Sequence, residues 1–335
     1  MNRTLPKINF IGNKIKIADW ICDHFPKKTK SLFDAFSGGC SVSYEAKKRG
    51  YQVFSNDIMK INYIIAKGLI ENSNETLDSN DIKLIFDGSP KSGFMHKNYS
   101  NVYYFENECK ELDLYRFNIE KLDNEFKKAL ALTLMRRAMI RKMPYSRFNI
   151  LWNKVKQLRD EDYSYKTYKR KRAYHNQSFE FHFKKNLESY NLSIFDNGMK
   201  NKAFNHDIYN LSTKVKADII YVDPPYAGTM NNYHSFYSLL DSFVQSKEIQ
   251  PFKNSFTNKK TISSDFEKLF SNFGNFKYWI ISYNNRSYPN KDDMMSILEK
   301  FSSNVKIIEK EHDYKITGKK MKKQNKELLF IVNNI

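Results

Sequence analysis

Four consecutive residues, Asp223, Pro224, Pro225 and Tyr226, bring together a carboxylate, a carbonyl on a residue with no N–H of its own, and a flat aromatic face. An exocyclic amine on a nucleobase is a weak nucleophile because its lone pair is delocalised into the ring. Alkylating it requires acceptors for both amine hydrogens, so that the nitrogen turns tetrahedral and its lone pair is released. The Asp223 carboxylate can take one hydrogen and the Pro224 carbonyl the other. Tyr226 offers a stacking face for the base, worth about 1–3 kcal/mol. The same residue types also serve a plain strand-ending turn with a surface Asp and Tyr, so the rest of the chain has to decide.

The run that these residues close, 217–222, is β-branched and apolar and ends at two prolines that cannot continue a ladder, which predicts a short buried strand. At the other end of the chain, a helical pattern over 15–21 stops near Pro26. It is followed by a strand at 31–36, a Ser37-Gly38-Gly39 turn, a helix over 41–48 halted by Gly50, and a strand at 51–55 with Asn56-Asp57 at its end. Strand, glycine turn, helix, strand and acid in that order place a nucleoside across the carboxyl ends of parallel strands. The Gly-x-Gly-x-x-Gly cradle of a dinucleotide is absent, which argues against a pyrophosphate cofactor. A ribose held by Asp57 and an amino-acid tail passing over the small-residue turn fit S-adenosylmethionine.

Taken together, Phe10-Ile11-Gly12-Asn13-Lys14, Asp34-Ala35-Phe36-Ser37-Gly38-Gly39, Asn56-Asp57, Asp223-Pro224-Pro225-Tyr226 and Ser282-Tyr283-Asn284 resemble the ordered motifs of the Dam-like (D12 class) DNA N6-adenine methyltransferases. The resemblance covers 1–60 and 200–335. It implies an α/β fold, a class I (Rossmann-like) methyltransferase sheet with an inserted, mostly helical target-recognition domain at 61–199. It also implies cofactor contacts from Phe10, Lys14, Asp34, Phe36, Gly38, Asp57 and Asp223, and a target base held by Asp223, Pro224 and Tyr226. Asp207, after a short strand, is expected near the adenine of the cofactor, with a helix cap as its alternative role. Cys40 departs from the family's Gly or small residue and reads as a tolerated small side chain.

Bulk charge points to the substrate: the net charge is +19 and the pI about 9.5, which calls for a polyanionic partner. Between 121 and 190 there are 18 Lys and Arg against 7 Asp and Glu, a clustering that codon bias in an AT-rich genome does not explain. A helix is expected over 122–143, with an apolar stripe and Arg136, Arg137 and Arg141 near its end. With Arg147, Asn149, Lys169, Arg170, Arg172 and Asn176 these are the candidate DNA contacts; Arg147, Asn149, His175, Asn176 and Gln177 have the donors and acceptors that read base edges.

Downstream, 229–237 reads as a loop able to close over a flipped base. Residues 305–309 and 327–332 read as a closing antiparallel pair of strands around a Lys-rich loop over 315–326. No run of about 18 apolar residues marks a membrane span, and the three cysteines, Cys22, Cys40 and Cys109, fit a reducing cytoplasm and offer no metal pattern. The expected activity is site-specific transfer of a methyl group to N6 of a flipped adenine in duplex DNA, beside a cognate restriction endonuclease in a restriction-modification system. Methylation of RNA adenine, of cytosine N4, or a silent nucleic-acid-binding relative are the rivals.

Overall fold

The apolar runs build a seven-stranded sheet in the computed structural model, which describes residues 3–10, 12–170, 173–226, 233–250, 255–312 and 325–334. The strands are β1 (Ser31–Asp34), β2 (Gln52–Asn56), β3 (Lys202–Phe204), β4 (Ile219–Val222), β5 (Tyr278–Asn284), β6 (Val305–Glu311) and β7 (Lys326–Asn333), in the order β3-β2-β1-β4-β5-β7-β6. β1 to β5 run parallel, while β7 pairs antiparallel with both β5 and β6. This is the expected class I sheet with its closing hairpin.

All four residues of β4 are buried, as a parallel strand covered on both faces requires. From β1 the chain steps outward to β2 and β3 and then returns to β4 on the other side of β1. The switch of direction therefore lies at the carboxyl ends of β1 and β4, where an open parallel sheet leaves a ligand crevice. At the opposite ends, Asp218 fixes the register: one oxygen accepts from the Lys30 amide at 2.9 Å and the Ser31 hydroxyl at 3.0 Å, the other pairs with Lys277 at 3.0 Å. Under the sheet lies an aromatic core including Phe33, Phe266, Phe270, Phe273, Phe276 and Trp279.

The chain forms two compact units. One, residues 10–66, 197–232 and 252–335, carries all seven strands; the other, residues 1–9, 67–196 and 233–251, is helical. These bounds differ from a division at 60 and 200 for a physical reason. Within the helical unit Arg136 donates to the carbonyls of Ile8 and Asn9, and the Tyr190 hydroxyl to that of Lys7, which binds the first segment. Arg116 donates to the carbonyls of Phe243 and Val244 and so binds the last.

At the heart of the helical unit, the helix Glu125–Lys142 starts at an Asn124 cap and is buried on every residue from 129 to 140. It is thus a core helix rather than one with a single apolar stripe. Gly68 lets it approach closely: a Cβ there would lie 3.1 Å from the Leu130 nitrogen. Residues 233–245 form a helix, Tyr233–Gln245, so the expected loop does not extend past 232; residues 227–232 of that loop lie outside the described residues. Most of the Lys-rich loop over 315–326 lies outside them too. No helix among the described residues is long and apolar enough to cross a membrane.

Candidate active site

Asp223 follows β4 directly, and the double proline ends the strand so that its side chain meets Lys14 from the amino-terminal segment and Tyr226 of its own turn, with Glu327 of β7 on the far side of the ammonium. Lys14, 3% exposed in the turn before the helix Ala18–Asp23, places its ammonium 2.9 Å from Asp223 Oδ1 and donates to the Tyr226 hydroxyl at 2.8 Å. The Tyr226 hydroxyl donates to the same Oδ1 at 2.5 Å. Glu327, at the start of β7 and 0% exposed, lies 3.4 Å from the same ammonium and accepts a hydrogen bond from Ser282 of β5. Two carboxylates thus share one lysine. Burial, and Glu327 as a like charge, hold the Asp223 carboxyl above the usual carboxylate range in spite of Lys14 and Tyr226.

Asp34 ends β1 at the switch point. Its Oδ2 accepts from Ser43 at 2.6 Å, while its buried Oδ1 has no partner among the described residues. Burial, then Asp223 and Asp57 as neighbouring negative charges, push this carboxyl up to about 7. Asp57 ties the end of β2 to the glycine turn, accepting from the Gly38 amide at 3.0 Å and the Met59 amide at 2.9 Å. Burial outweighs these bonds and raises it to about 6.

Gly38 adopts φ +49, and a Cβ there would sit 2.8 Å from the Phe10 ring. Glycine is needed for both reasons, conformation and contact. Cys40, at φ 59, holds a left-handed conformation just before the helix Ser41–Lys48 and is buried, so it is accommodated rather than merely tolerated.

Aromatic rings continue away from Tyr226. Tyr283 meets it edge-on at 5.3 Å, followed by Phe266 at 6.0 Å, Phe256 at 5.7 Å and Phe36 at 5.4 Å. Asp207 is exposed and caps the helix Ile208–Leu211 through the Tyr209 amide at 2.9 Å. The structure gives it the cap and no bond to the Lys14–Asp223 group.

In the helical unit the candidate DNA contacts separate. Arg147, Asn149, Lys169 and Arg170 are exposed, and Arg147 follows two residues, Tyr145 and Ser146, held at positive φ. Arg141 is half-buried with its guanidinium 4.5 Å from the Tyr174 ring centroid. Arg136 is corrected: it is 0% exposed and spends its guanidinium on backbone carbonyls, so it is a core residue rather than a surface phosphate contact. Arg137, 6% exposed, is buried too, yet its Nε and Nη1 have no hydrogen-bond partner among the described residues. His175 is 1% exposed against the Arg141 carbonyl, which removes it from the base-reading group. Asn176 is exposed but its amide exchanges hydrogen bonds with Arg159. Arg172 lies outside the described residues.

A second buried ion group lies in this unit. Glu108 takes Arg159 on both oxygens, at 2.8 and 2.6 Å, and Lys142 at 2.8 Å. Lys142 also donates to the Gln177 carbonyl at 2.7 Å. Sequence reasoning missed Glu108 and Glu327. The available signal for Glu327 was an acid opening the otherwise apolar run Leu328-Leu329-Phe330-Ile331-Val332.

A family profile described as D12 class N6 adenine-specific DNA methyltransferase matches residues 10–316. The chain is 55% identical over 333 residues to the type II methyltransferase M2.HphI of Haemophilus parahaemolyticus, covering 99% of each chain. It is 26% identical over 354 residues to the type II methyltransferase M.CviAII of Paramecium bursaria Chlorella virus 1, covering 97% of this chain and 98% of that one. Against the type II methyltransferase M.FokI of Planomicrobium okeanokoites identity is 25% over 362 residues, covering 96% of this chain and 50% of the other.

Proposed function

The chain belongs to the D12 class N6 adenine-specific DNA methyltransferases, and on that premise we propose how its residues carry out the reaction. It is a site-specific DNA adenine methyltransferase that draws on a methyl donor. We infer that the donor is S-adenosylmethionine, that the substrate is duplex DNA, and that the enzyme works in the cytoplasm beside a cognate restriction endonuclease.

The residues fit that donor. Asp34, Asp57, Asp223 and Glu327 outnumber Lys14 around the carboxyl ends of β1, β2 and β4. A buried Asp34 oxygen without a partner among the described residues asks for a cationic or hydrogen-bonding ligand. Phe10, Lys14, Asp34, Phe36, Gly38, Asp57 and Asp223 are the residues that would hold it, and Asp207 is assigned there only beside its cap. Bound there, S-adenosylmethionine supplies an electrophilic methyl group on a sulfonium.

The observation that carries the mechanism is the sharing of one oxygen of Asp223. Lys14 and Tyr226 both engage Oδ1, and Oδ2 is the oxygen that accepts a hydrogen from the adenine amine. The Pro224 carbonyl accepts the second hydrogen. With both hydrogens held, the amine lone pair leaves conjugation with the ring. Tyr226 stacks on the extruded base, whose unstacking costs a few kcal/mol, and its tethered hydroxyl fixes the plane of the ring.

The helical unit is assigned to target recognition. Arg147, Asn149, Lys169 and Arg170, with Arg141 and Arg172, supply phosphate and base-edge contacts, and the unsatisfied N–H groups of Arg137 suit a phosphate oxygen.

The test is transfer from labelled S-adenosylmethionine into genomic DNA and total RNA, followed by nucleoside analysis. Label in N6-methyladenine of DNA supports the reading. Label in RNA or on cytosine overturns the substrate, and no label at all with duplex binding intact overturns the activity.

A further inference from the structure

In the helical unit Lys142 and Arg159 share Glu108, and Arg136 donates its guanidinium to backbone carbonyls. The described residues give Arg137 neither. It stands on the helix Glu125–Lys142 at 6% exposure, and its Nε and Nη1 are buried without a hydrogen-bond partner among the described residues. The groups that face it are Tyr190, Arg141 and Arg136, and none of them is an acid. Burial pushes the Tyr190 hydroxyl up to about 12, so it stays neutral, and it donates to the Lys7 carbonyl at 3.1 Å. Arg141, one turn further along the same face, holds its guanidinium 4.5 Å from the Tyr174 ring centroid. His182, on the helix Phe179–Asn191, adds no charge either: burial first, then Arg141, Lys142 and Arg137 as positive neighbours, bring it down to about 4. A buried charge with neither an opposite charge nor hydrogen bonds is unfavourable in a fold.

We propose that Arg137 is an anion latch: folded inward and unsatisfied in the free protein, it turns outward beside Arg141 when duplex DNA docks and takes one phosphate of the backbone. The inference rests on the helical unit being the part that binds DNA. Arginine suits the task because its side chain is long, and its planar guanidinium gives phosphate oxygens charge-assisted hydrogen bonds. Nε and Nη1 are closed off from water in the free protein, so a phosphate reaches them only through that outward turn. The turn takes an unsatisfied charge out of the interior and makes the DNA contact in the same step. This separates Arg137 from Lys169 and Arg170, which are exposed already and act on a phosphate mainly by releasing counterions. Arg137 therefore lowers the stability of the free protein and raises its affinity for a polyanion. A merely structural arginine does not produce those two effects together.

The test is Arg137→Met on the full chain, which keeps an unbranched side chain and removes the charge. The free variant should melt above the wild type by about 2–4 °C, the shift that a modest gain gives a unit of this size. It should bind duplex DNA roughly tenfold more weakly, the scale of a lost hydrogen bond to a charged group, with a salt slope lower by about 0.9. Both signs are required. A melting temperature that falls or stays the same would show that the guanidinium is not a burden on the free fold and would overturn the inference, as would unaltered DNA affinity and slope. Should Arg137→Met fail to fold, Arg137→Gln is measured under the same criteria; failure of both to fold overturns the inference, because the fold would then depend on the guanidinium. A wild-type chain that does not bind duplex DNA would defeat the assignment of the helical unit itself, an outcome distinct from a failure of Arg137.

Discussion

Each unit buries a group of charges, and the two groups are built in opposite senses. At the strand ends Asp223 and Glu327 share Lys14; in the helical unit Lys142 and Arg159 share Glu108. A buried ion pair roughly repays its own desolvation, but an odd charge left over does not. The first group gathers acids around a lysine at the strand ends, and the second gathers a lysine and an arginine around an acid, with Glu111 as a further acid facing Lys142. The lesson is that net charge, +19 over the chain, hides an acid-rich site inside a basic molecule.

The largest effect expected concerns the acidic group. Asp223→Ala should lower methyl transfer by about 10²- to 10⁴-fold, the range of a positioned proton acceptor, while gel-shift binding of duplex DNA is unchanged. Loss of DNA binding in the same variant would mean that the two groups do not act separately. Next is the basic group: Glu108→Ala removes the acid that two buried cations share and should cost about 3–5 kcal/mol in denaturant unfolding. A cost below 1 kcal/mol would show that Lys142 and Arg159 find water or other partners, and the symmetry of the comparison would fail.

pH sharpens the same contrast. Asp34 and Asp57 titrate near about 7 and about 6, raised from 3.8 chiefly by burial. Both acids are stabilising in their protonated form, fully so below the unfolded value, and that contribution is lost as pH rises through 6 to 7. A cationic ligand needs them ionised, so affinity for S-adenosylmethionine should rise across this window, by at most about tenfold per pH unit per group. Calorimetry in two buffers of different ionisation enthalpy should register proton release on binding, and no proton release would remove these acids from the cofactor site. The smallest effect belongs to an exposed residue of the helical unit: Lys169→Ala should reduce the salt slope of duplex binding by about 0.9 if it meets a phosphate, and an unaltered slope would take it off the interface.

β4 was legible because its β-branched apolar run is stopped by two prolines, and β1 and β2 because they bracket the glycine turn and its helix; the helix Ser41–Lys48 matches its reading to the residue. The acids at the ends of β1, β2 and β4 were legible for the same reason, since motif order follows strand order. Arg136 was misread because a charge count registers composition and not neighbours, and its neighbours are carbonyls more than 120 residues away in sequence. Glu327 was missed because an acid at the start of an edge-like strand looks solvated, and only the antiparallel insertion of β7 beside β5 brings it to Lys14. The start of the helix Tyr233–Gln245, up to 237, reads as loop because its Asn- and Tyr-rich approach lacks periodicity. The periodic residues Leu239, Leu240, Phe243 and Val244 come later, and all four are buried.

The bond from Asp218 to the Lys30 amide joins residues 188 apart in sequence, and it has a consequence for how the molecule is made. Closing so long a loop costs entropy before any strand pairing rewards it, whereas the helices in between gain contacts close in sequence at once. When those helices collapse first, the intervening chain shortens from a coil to the span of a folded body, and β4 can find β1. In that order of events the intervening helices would act as the splint on which the sheet is assembled, and protection of β4 before those helices in pulsed hydrogen exchange would contradict it.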